Sequence, residues 1–91
     1  MVLKKIQANL GSVLDIPQDV LLDVPKITIV GNAQVWIENH TGIIEYAPEL
    51  VRLNTSLGPL CIRGSEFVLV QLLQTEIKLE GKLQLVEFGE E

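Results

Sequence analysis

Ile27-Thr-Ile-Val-Gly-Asn-Ala-Gln-Val-Trp-Ile-Glu38 decides the fold class. Two runs rich in β-branched and aromatic residues flank Gly31-Asn32. Such side chains suit a pleated, half-buried surface. A Gly-Asn pair between them supplies the backbone freedom of a tight reversal. Working outward, Asn39-His-Thr-Gly42 is a loop with a glycine available for positive φ. The runs Ile43–Tyr46, Leu50–Val-Arg-Leu53, Leu60–Arg63, Phe67–Val70, Glu76–Leu79 and Leu83–Val86 follow. Turn residues separate them every eight residues or so, which predicts about eight short, mainly antiparallel strands.

A weak repeat underlies this order. Ile27, Ile43 or Ile44, Leu60 and Ile77 open similar runs about 16–17 residues apart, and Gly31, Gly64 and Gly81 close three of them. The expected architecture is therefore a β-sandwich or roll, or a short β-solenoid of hairpin-like rungs. Leu50–Thr55, Leu60–Arg63 and Ile77–Glu80 alternate apolar and polar residues, as strands do with one face on a core. Phe67-Val-Leu-Val-Gln-Leu-Leu73 does not alternate. It reads either as a strand covered on both faces or as an apolar surface awaiting a partner.

Residues 1–24 have a different character. Ile6, Leu10, Val13 and Leu14 share the spacing of one helical face, so a short N-terminal helix is expected, ending near Gly11. Pro17 can open a further turn, and Pro25 biases Val24 towards extended backbone. The chain thus divides into a helix and extended lead-in over 1–24, a β domain over 25–89 and an acidic tail at 90–91.

Ninety-one residues bury little over half of their unfolded surface, which leaves a thin core. An apolar content of 47% nevertheless argues for a folded chain. The net charge of −5 and scattered basic residues argue against nucleic acid as a partner. A single cysteine excludes an internal disulfide, and no apolar run follows the start MVLKKIQANL, so a cytoplasmic chain without membrane insertion is expected.

Chemistry is sparse. His40, the one histidine, reads as a solvated loop residue. Cys61, between Leu60 and Ile62, reads as a small apolar filler. Glu38 and Glu45 flank Asn39–Gly42 and are expected to face each other across a hairpin. Asn39, His40, Arg52 and Asn54 are the polar groups available to a ligand site. Phosphate-binding glycine loops are missing, and neither catalytic nor metal or cofactor residues are assigned. Trp36 is read as core first and interface anchor second. Val68, Leu69, Val70, Leu72 and Leu73, with Trp36, form the candidate partner interface.

Val20-Leu-Leu-Asp-Val-Pro-Lys-Ile-Thr-Ile-Val-Gly31, then Trp36-Ile-Glu-Asn-His-Thr-Gly-Ile-Ile-Glu-Tyr46, then Arg52-Leu-Asn-Thr-Ser-Leu-Gly58, with Cys61–Gly64, Ile77–Gly81 and Val86-Glu-Phe88, form an ordered set. This order resembles the YabP/YqfC family of sporulation proteins, and its YqfC branch more than YabP. The resemblance spans nearly the whole chain. It implies a role in the mother-cell programme of sporulation and carries no catalytic residues over. It also implies a membrane-associated, YqfD-like partner. The expected function is that of a non-enzymatic structural or interaction component at the developing spore envelope, peripheral to the membrane around the forespore and possibly oligomeric. The alternative is a small-ligand-binding regulatory module of the same programme.

Overall fold

The computed structural model describes residues 22–89. The helix expected before Gly11, the turn at Pro17 and the tail at 90–91 lie outside them. The described chain is all-β. Its strands are β1 (Lys26–Val30), β2 (Gln34–Glu38), β3 (Gly42–Ala47), β4 (Leu50–Thr55), β5 (Gly58–Leu72) and β6 (Glu76–Phe88). All neighbours pair antiparallel in one sheet of order β1-β2-β6-β5-β4-β3.

Six strands replace the expected eight because two pairs of predicted runs are continuous. Leu60–Arg63 and Phe67–Val70 lie within the 15-residue β5, and Glu76–Leu79 and Leu83–Val86 within the 13-residue β6. Gly64 and Gly81, read as turn residues, are instead where the β5–β6 ribbon bends without reversing. Register shifts fall between Arg63 and Gly64 and again between Ser65 and Val68, where Glu66 takes a φ of 58°. Bulges of this kind bend a strand and increase its twist. The solenoid alternative fails on connectivity: β3 to β6 form a meander, and the β1–β2 hairpin lies against the far side of β6.

The bend lets one sheet supply both walls of its own core. Val35 and Ile37 of β2 and Ile77 and Leu79 of β6 come from one half. Val51 and Leu53 of β4 and Leu60 and Ile62 of β5 come from the other, with Phe67 at the bend; all form one buried cluster. The registers Val35↔Leu79, Ile37↔Ile77, Leu53↔Leu60 and Val51↔Ile62 align these residues in cross-strand rows. Each outer hairpin is anchored at the bend through its turn. Gly81 and Leu83 donate N–H bonds to the carbonyls of Ala33 and Asn32, at 3.0 and 2.7 Å. Gly64 and Phe67 donate to those of Glu49 and Pro48, at 3.1 and 2.9 Å.

Candidate interaction surface

The bend also creates an edge. β4 accompanies β5 only as far as Arg63, whose partner Leu50 begins β4. From Val68 to Leu72, β5 pairs with β6 alone. An unpaired strand edge presents backbone donors and acceptors, and natural sheets commonly guard such edges with charge. No charged residue lies between Phe67 and Thr75. Val68, Val70, Leu72 and Leu73 are 60%, 49%, 53% and 49% exposed. The N–H of Leu73 bonds the carbonyl of Glu76 at 2.8 Å, which closes the hairpin. By antiparallel alternation, the backbone groups of Leu72 then point away from β6, to the free side.

The six candidate interface residues do not share one face. Val68 pairs with Glu80 and projects on the outer side of the sheet, whereas Leu69, opposite Leu79, packs against the core. Leu72 lies opposite Ile77, and Val70 is the extra residue at the shift between Leu69 and Gln71. Their common feature is the strand edge. Trp36 stands apart from them. It occupies β2, between Thr28 of β1 and Lys78 of β6, on the face opposite Val35 and Ile37. It is 38% exposed, which corrects the reading of Trp36 as core. Sequence reading passed over Ile29 and Val30, which are also exposed, on edge strand β1. Only the strand order marks that run as an edge.

The polar candidates serve the fold. His40 is 2% exposed, which overturns the expectation of a solvated loop residue. The segment Asn39–Thr41 crosses from one half of the sheet to the other. The N–H of His40 bonds the Thr75 carbonyl at 3.1 Å, and that of Thr41 the Asn54 carbonyl at 2.8 Å. His40 Nδ1 accepts the Gly42 N–H at 3.0 Å, so the ring holds the crossover as a neutral acceptor. Its Nε2 is out of solvent with no hydrogen-bond partner among the described residues. Desolvation pushes the His40 pKa below 6.5, and the backbone of Glu76 works in the opposite direction.

Asn39, at a φ of 66°, donates its amide to the Val24 carbonyl (3.1 Å) and Asp23 Oδ1 (3.2 Å). Both side chains are thus occupied internally. Glu38 and Glu45 do not face each other, because β2 and β3 are not paired. Glu38 lies between Lys26 and Glu76, and Glu45 lies opposite Arg52, 3.6 Å from its guanidinium. Cys61 is a buried free thiol. Among the described residues no group of His, Cys, Asp and Glu side chains is arranged to hold a metal ion, and no helix is long and apolar enough to cross a membrane.

These features define a small all-β protein, a single coiled antiparallel sheet whose one uncharged, apolar, unpaired strand edge is its main described surface for contact. The model of the YabP family matches residues 23–91, so the chain belongs to that family, which is associated with sporulation. Over 86 residues it is 40% identical to YqfC of Bacillus subtilis (strain 168), a protein described as uncharacterized; the match covers 94% of this chain and 92% of that one. No solved structure matches the chain.

Proposed function

We propose that the protein is a non-enzymatic interaction component of the sporulation programme. It acts in the mother cell, at the developing spore envelope, by docking on a membrane-bound partner. The observation that carries this reading is the edge of β5: an unpaired strand with exposed Val68, Val70 and Leu72 and no charge from Phe67 to Thr75. A partner strand laid along it gains backbone hydrogen bonds, and those side chains add apolar contact. Membership of a sporulation-associated family supplies the cellular context.

A fluorescent fusion followed through sporulation tests the reading, in cells with and without the neighbouring membrane protein. A shell of signal around the forespore is expected. It should be lost without the membrane protein, and lost for Val70→Lys, which places a charge on the edge without touching the core. A diffuse signal in every strain would sink the envelope role. A shell that survives Val70→Lys would move the contact off this edge.

A further inference from the structure

One side of the sheet is covered where the described residues supply no cover. Leu60 and Ile62 of β5 point into the core cluster, so Cys61 between them points to the opposite face. Its cross-strand neighbours there are Arg52 of β4 and Glu87 of β6. An outward residue on a sheet of this kind ordinarily meets solvent. Cys61 instead has 0% exposure although it does not belong to the core cluster. Arg52 Nε on the same face is also out of solvent, with no partner among the described residues.

The chain enters the described structure beside this face. Ser56 Oγ donates to the Asp23 carbonyl at 2.7 Å, which pins Asp23 to the turn between β4 and β5. Cys61 is five residues further along, a strand distance of roughly 17 Å. The residues before Leu22 include Ile6, Leu10, Val13 and Leu14 at helical spacing. Helical turns carrying them would span about 13 Å, so the segment has both the reach and an apolar stripe for the face. Asp15 and Asp19, at the end of the segment nearest the entry point, match the arginines of the face in charge, Arg52 and Arg63.

We propose that residues 1–21 pack in cis across the outer face of β4, β5 and β6, with the apolar stripe over Cys61. The face is thereby closed to other proteins by the chain's own N-terminal segment, and the contact surface of β5 is a separate one.

Cys61 is the only thiol, so its reaction with an aromatic disulfide reagent such as DTNB reads the cover directly in the full-length chain. In the native protein the thiol should react far more slowly than in urea, at a rate independent of protein concentration. Leu10→Asp with Leu14→Asp should raise the native rate by about tenfold or more, with the far-ultraviolet circular dichroism and the Trp36 emission unchanged. An unchanged rate in this folded variant overturns the proposal. Protection that falls on dilution also overturns it, and assigns the cover to a second copy. Should the aspartates unfold the chain, Leu10→Cys and Leu14→Cys variants keep the question open to test. Oxidised with diamide, which takes up the two thiol hydrogens, at least one should form an intramolecular disulfide with Cys61. Failure of both is a negative answer.

Discussion

Phe67 lies where two side chains would otherwise be. A Cβ built on Gly64 would come within 2.7 Å of the Phe67 ring and collide with the Lys82 carbonyl oxygen. One on Gly81, whose φ is 156°, would lie 2.8 Å from that ring and from the Glu66 carbonyl. Gly31 differs: its φ is 58°, with open space around it. Urea denaturation should therefore separate the glycines. Gly31→Ala should cost about 1 kcal/mol, the strain of a left-handed residue. Gly64→Ala and Gly81→Ala should each cost upwards of about 3 kcal/mol, because backbone as well as Phe67 must move. Equal costs at all three would show that the bend adapts. His40 gives a second test at this scale. Its pKa is below 6.5 in the folded chain and returns to about that value on unfolding. The unfolded state then binds the extra proton between the two values, so stability is full above pH 6.5 and declines as pH falls towards the folded pKa. The slope is at most about 1.4 kcal/mol per pH unit. Denaturation midpoints between pH 7 and 5 should fall for the native sequence, and fall less for His40→Gln. Parallel curves for the two would remove His40 as the cause.

The elements show what was legible and what was not. Every predicted apolar run lies in a strand, since β-branched alternation is a local signal. Whether a glycine reverses a chain or only bends it depends on the neighbouring strand, and nothing around Gly64 or Gly81 in sequence reveals that. The same limit hid the burial of His40, which comes from a crossover between halves of the sheet, and the outward face of Trp36. The family was legible in the order of the motifs, not in any single residue. Of the interface candidates, the run from Val68 to Leu73 was found by its failure to alternate, but its division between faces depends on the bulge at Val70. That division yields a prediction for β5. Val70→Lys, on an exposed bulge residue, should shift folding stability by no more than about 0.5–1 kcal/mol. Leu69→Lys, against the core, should cost several kcal/mol or leave the chain unfolded, because a charge enters an apolar contact. Comparable thermal midpoints for the two variants would mean that the edge is not organised in this way.

At the scale of the molecule, the two halves of the sheet share one core and no other described apolar cluster supports either of them. Neither half has a second layer of its own. The β1–β2 hairpin is held by β6 and by the bonds of Gly81 and Leu83 to its turn, and a hairpin alone is at best marginally stable. Folding should thus be all-or-none, as is usual for domains of this size. Trp36 offers a probe, since it lies on β2, in the half of the sheet that does not contain β4. Leu53→Ala empties a fully buried position on β4 and should cost about 2–5 kcal/mol. If the core is shared, Trp36 emission must register the whole of that loss: its urea midpoint should fall together with the midpoint from far-ultraviolet circular dichroism, in one transition. A Trp36 transition left where it was, while circular dichroism splits in two, would show halves that unfold separately. The β5 edge would then belong to a ribbon whose other half can open, and a partner on that edge would bind without requiring the β3–β4 half to be folded.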